Sequence, residues 1–164
     1  MINYYLFGES TITCSSLGWG TNYNSSHSLN LVETGKMAAL RHTRVDYLNI
    51  EYQELYHENI SLLLKMINWS NEKKVQLIFV TLPAFESYRN NLNSNQLNFT
   101  IDEIKKIVSK YKNCSYFNFI ADTNFVAQDF YDGDHLSEIG AKKISTIINS
   151  KIMTLPSNEQ KLKF

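Results

Sequence analysis

Apolar and polar positions repeat with clear periods from Leu55 onward, whereas the stretch from Gly8 to Asn49 is rich in Ser, Thr and Asn and gives scattered signals. Leu55, Ile60, Leu63, Leu64 and Ile67 recur mostly at three- to five-residue intervals, with Glu58, Ser61, Lys65 and Asn68 between them. This spacing predicts an amphipathic helix over 56–72. Val75-Gln-Leu-Ile-Phe-Val-Thr-Leu82 follows, too continuous for a half-exposed strand, and predicts a buried strand stopped by Pro83. Residues 84–99 form a polar excursion holding Asn90, Asn91, Asn93, Asn95 and Asn98. Thr100 then offers an N-cap, with Glu103 at N3 for a capping box, to a helix through Ile101, Ile104, Ile107, Val108 and Tyr111 that Asn113 ends. Ser115-Tyr-Phe-Asn-Phe-Ile120 reads as a second strand. After an acidic loop, Ile139, Ile144, Ile147 and Ile148 mark one face of a closing helix over Ser137–Ser150, with Lys142 and Lys143 on the wet face. Helix, strand, helix, strand, helix predicts an α/β layer with a parallel sheet. Upstream, Tyr4–Phe7 reads as a short strand, Leu17-Gly-Trp-Gly20 as an aromatic turn and Leu31–Arg44 as a short helix.

Composition narrows the functional classes. The 164 residues, 43% hydrophobic and 20% charged, suit one globular domain over 1–153, best supported over 55–150, with a frayed tail at 154–164. Sixteen basic residues balance sixteen acidic ones without a basic block, so nucleic acid is not the expected partner. The apolar runs fall well short of the ~18 residues a spanning helix needs, and Met1–Phe7 lacks the cationic flank of a signal peptide. As written the chain reads as cytoplasmic, and as an envelope protein where an anchor precedes it. Cys14 and Cys114 fit neither a redox pair nor a zinc cluster and are expected as free thiols. The eighteen asparagines, five of them in sequons, read as genome composition.

The loop Asp129-Phe-Tyr-Asp-Gly-Asp-His-Leu-Ser-Glu-Ile-Gly140 carries the chemistry. Asp132 three residues before His135, with Gly133 loosening the backbone between, lets a short turn bring a carboxylate to one ring nitrogen while the other faces outward. Acyl transfer by a serine needs an imidazole held in one tautomer to take the hydroxyl proton, so Asp132 and His135 are the candidate catalytic pair. The loop follows a strand, where open α/β sheets bind their ligands.

These residues resemble the last motif of the SGNH/GDSL hydrolase superfamily: Asp132-x-x-His135, Leu136, Gly140 and a closing helix. The resemblance extends upstream to the helix at 56–72, to Thr81-Leu-Pro83 with Tyr88, and to the 115–120 strand, and Leu17-Gly-Trp-Gly20 is similar to a turn in polysaccharide-associated branches. It implies a three-layer, flavodoxin-like parallel sheet flanked by helices. It further implies a serine esterase or acetyl-transfer type of enzyme acting on an ester-bearing glycan or small ester, without a cofactor. Family members open with a strand running into Gly-Asp-Ser, and the candidate here is Phe7-Gly-Glu-Ser10. A βαβ unit takes ~30 residues, only 45 positions lie between Ser10 and the helix at 56, and no Gly-x-Asn-Asp equivalent is found. The expectation is therefore a C-terminal portion, incomplete at its N-terminal side and inactive by itself, or a degenerate relative; the nucleophile is Ser10 or lies upstream of Met1.

Blander readings stand beside these. Asp132 and His135 also suit a capped turn, with Ser137 as the N-cap of the last helix. Asp132-Gly-Asp134 spells the Asp-x-Asp of metal-dependent glycosyltransferases, although no metal site is expected. His27, His42 and His57 read as surface or partly packed. Trp19, Trp69, Tyr88 and Tyr131 are stacking platforms for a sugar or, more often, core material. The alternative in function is a non-catalytic module that binds a partner or glycan, or that completes its sheet as a homo-oligomer.

Overall fold

The computed structural model describes residues 22–43 and 49–155. The expected strand at Tyr4–Phe7, Ser10, Cys14 and the Leu17–Gly20 turn lie outside the described residues, as does the tail beyond Leu155. The fold is mixed α/β, with five α-helices and a parallel two-stranded sheet among the described residues: α1 (Leu31–His42), α2 (Ile50–Glu72), β1 (Leu77–Thr81), α3 (Glu86–Arg89), α4 (Ser94–Val108), β2 (Cys114–Asn118) and α5 (Glu138–Thr154). Short 3₁₀ turns at Ser25–His27 and Ala127–Asp129 complete it.

β1 and β2 pair in parallel with Leu77 opposite Cys114 and Thr81 opposite Asn118. Side chains alternate across a strand, so each face of this pair carries its own core. Leu77, Phe79 and Cys114 pack with Ile67 and Ile107 beneath α2 and α4. Val80 and Phe117 pack with Phe119, Phe125, Phe130 and Ile144 beneath α5. The helices at 56–72 and 137–150 and both strands were legible in the chain. β1 is half-buried along its whole length rather than buried, because among the described residues only β2 flanks it.

Other differences lie at helix ends. The polar stretch 84–99 holds α3 and the start of α4, whose cap is Asn93: its side chain accepts from the Gln96 amide at 3.0 Å. Thr100 is inside the helix and its hydroxyl donates to the Gln96 carbonyl, so the Thr100–Glu103 capping box does not form. α4 stops at Val108, and Asn113 lies beyond it as a buried cross-link, donating to Ser70 Oγ at 2.9 Å and to the Val75 carbonyl at 3.2 Å. Asn24, Asn30, Asn49 and Asn93 each cap a helical start, so part of the asparagine content has a local function that composition did not suggest. Asn49 also moves the start of α2 six residues ahead of the expected one, because Tyr52 and Tyr56 extend its half-buried face.

Candidate functional site

The loop from Asp129 to Ser137 leaves the C-terminal side of β2 and closes on itself. The Ser137 amide donates to the Asp129 carbonyl at 2.9 Å, Tyr131 N–H donates to the His135 carbonyl at 3.0 Å, and Phe130 bridges Leu136. Phe130 anchors the base at 2% exposure. Below it Asp129, 1% exposed, is held by Lys143 Nζ at 2.7 Å and by the Val126 amide at 2.9 Å. Gly140 brings α5 against this base, since a Cβ there would fall on the Asp129 carbonyl.

Gly133 sits at the tip for a reason other than looseness. A Cβ on it would meet the backbone of Gly35 in α1, and a Cβ on Gly35 would meet Ser87 of α3, so two glycines allow three segments to touch. Gly133 N–H also donates to Thr34 Oγ1 at 3.0 Å, and its carbonyl accepts from the Phe85 amide at 3.0 Å. The turn is thus fixed from two sides.

On that turn Asp132 and His135 meet. His135 Nδ1 lies 3.0 Å from Asp132 Oδ1 and 3.1 Å from Oδ2. The carboxylate only accepts, so in the neutral ring Nδ1 carries the proton and the lone pair is on Nε2, which has no hydrogen bond among the described residues. Oδ1 also accepts the backbone N–H groups of Asp134 at 3.1 Å and His135 at 2.7 Å. The capped turn and the acid–imidazole pair are therefore one arrangement. The His135 side chain is 49% exposed, and its ring stacks on Tyr23 with centroids 5.2 Å apart. Tyr131 meets the other edge of Tyr23, and the 22–29 segment is tied down by Leu29 N–H to the Tyr131 carbonyl and by Ser25, whose amide and hydroxyl both donate to Glu138 at 2.6 Å. Those two bonds hold the Glu138 carboxyl below its ordinary range.

Asp134 turns to the other side. It lies 3.6 Å from His135 Nδ1 and 3.9 Å from His42 Nδ1, which in turn contacts Tyr88 OH at 2.9 Å. His42, expected as surface or partly packed, is half-exposed and belongs to this cluster; His27 and His57 do not. Tyr88, Asp134 and His42 border a cleft of about 350 Å³ floored by Thr81, Pro83, Ala84 and Ile120, just past the carboxyl ends of both strands. A second cavity of about 540 Å³, mostly apolar, opens beyond Thr81, Gln96 and Thr100 between α2 and α4. Burial, and next the Asp134 charge, push the Tyr88 hydroxyl up.

Burial, and after it the neighbouring Asp132 carboxylate, raise the Asp134 carboxyl, with His135 and His42 opposing. Ionising Asp134 is thus less favourable in the fold than in the unfolded chain, so it costs stability as pH rises through the interval above the ordinary carboxylate range. Asp134→Asn is expected to raise the melting temperature by roughly 1–3 °C at pH 7 and to leave it unchanged at pH 3. Calorimetry at both pH values checks this, and an equal gain at each would mean that ionisation is not the cause.

Asp132, Asp134 and His135 each offer a ligand atom within 4.8 Å of the others. A cation there would compete with the bond from Nδ1 to Asp132. Among the residues noted in the sequence, Trp69 lies 57% exposed on α2, away from the site, while Tyr88 and Tyr131 stand beside it. Tyr23, Thr34 and Gly35 were not legible as site residues; the glycine inside a helical pattern was the one local signal of a close approach. No helix among the described residues is long and apolar enough to cross a membrane. No family model, curated protein or solved structure matches the chain.

Proposed function

We propose that this chain is an ester hydrolase or acyltransferase of the SGNH/GDSL kind, with a three-layer flavodoxin-like sheet, acting on an ester-bearing glycan or small ester. The observation that carries the reading is the bidentate approach of Asp132 to His135 Nδ1 on a half-exposed ring, next in the chain to Asp134, which borders the cleft at the strand ends. In this reading His135 takes the proton of the attacking hydroxyl and returns it to the leaving alcohol, while Asp132 fixes the tautomer and stabilises the imidazolium. Tyr23 holds the ring plane from behind. Ser10 is the nucleophile candidate within this chain.

Mixing the protein with p-nitrophenyl acetate and following nitrophenol release with intact mass tests this directly. A burst matching the protein concentration, with one acetyl group mapping to Ser10, is the expected outcome. Absence of both burst and adduct would overturn catalysis through Ser10 and leave an inactive portion of such a domain or a non-catalytic binding module.

A further inference from the structure

The face of α2 turned away from the core is not polar. Ile60, Leu63, Leu64 and Ile67 pack inward, yet Leu55, Leu62, Met66 and Trp69 are 53%, 54%, 45% and 57% exposed. At 100° per residue these four share one stripe of the helix. The stripe is self-complementary. Leu55 and Trp69 lie seven residues on either side of Leu62, and Glu51 and Lys73 lie eleven residues on either side. Glu58 and Lys65 flank Leu62 at four and three residues, both exposed and without an ion pair among the described residues.

We infer that α2 is the seam of a homodimer in which two copies cross antiparallel about a twofold axis at Leu62. Leu62 meets its own equivalent, and Leu55 meets Trp69 of the second copy at both ends. Glu58 of one copy then faces Lys65 of the second, and Glu51 faces the C-cap residue Lys73. An isologous contact repeats each such pair twice. A 23-residue helix is about 34 Å long, and a specific interface needs about 1,000 Å² in total, so the contact takes in the flanking charged residues as well as the apolar stripe. A parallel arrangement lacks the Glu58–Lys65 pairing and is disfavoured by that loss.

Sedimentation and light scattering of the full chain over about 5–200 µM test the inference, with a reversible rise from one to two chain masses expected. Leu62→Glu, at an exposed position that leaves the core untouched, should give a monomer throughout. Glu58→Lys and Lys65→Glu should each weaken association about fivefold, and the double reversal should restore it. Leu62→Cys with Cys14→Ser and Cys114→Ser should oxidise to a single cross-linked dimer, as a residue on the axis faces itself. A monomer at every concentration, or a dimer indifferent to Leu62→Glu, overturns the seam; the second outcome would move association to another surface such as a strand edge.

Discussion

Replacing His135 by Ala is expected to lower turnover of an activated acyl ester by about three to four orders of magnitude, and Asp132→Asn by a similar factor. The two substitutions separate chemistry from architecture. Asp132 Oδ1 receives two backbone N–H groups as well as the ring nitrogen. An asparagine oxygen can keep the backbone bonds and the turn, but its amide cannot stabilise an imidazolium and favours the other tautomer. Asp132→Asn should therefore melt within a degree or so of the parent while losing turnover. Steady-state kinetics beside a thermal melt checks this. Full activity in either variant would remove the pair from the mechanism, and a large loss of stability in Asp132→Asn would mean that its backbone bonds need the charge.

Lys143→Met is expected to be the most destabilising single change outside the hydrophobic core. Asp129 is 1% exposed, and its charge is met by Lys143 Nζ at 2.7 Å, with Nζ also donating to the Asn124 carbonyl and lying 5.0 Å over the Phe125 ring. Removing the ammonium leaves a buried carboxylate with the Val126 amide as its remaining donor. Such a loss costs about 3–5 kcal/mol, near 10 °C in melting temperature for a chain of this size. Adding Asp129→Asn to Lys143→Met should recover part of it, since the uncompensated charge is what destabilises. Equal melting of the single and double variants would sink this account. The same lesion should loosen the candidate site, because the Asp129 carbonyl receives Ser137 N–H at the root of the loop.

Elements with strong periodicity were legible from residues alone. The apolar faces of α2 and α5, the two strand runs and their parallel pairing followed from patterns that sequence spells out in consecutive residues. The Asp132–His135 contact was legible for the same reason: four consecutive residues in one turn decide it locally. Two helix starts were legible, Leu31 and the one capped by Ser137, but those of α2 and α4 were not. Thr100 with Glu103 satisfies the form of a capping box, but Asn93 offers a cap about two turns earlier, and extending the helix adds backbone hydrogen bonds that the shorter form would leave to water. Asn113 looked like a helix stop because burial of an amide against Ser70 leaves no trace in its neighbours.

By itself, then, the sequence determined what depends on neighbours in the chain: periodic faces, strand runs, and the short turn that brings Asp132 to His135. Tertiary structure decided what depends on segments far apart in sequence. Tyr23 reaches His135 across 112 positions, Gly35 reaches Gly133 across 98, and His42 reaches Asp134 across 92. No local pattern encodes such approaches, because they arise from packing α1 and the 22–29 segment against the loop, where close fit and burial, not residue order, select the partners.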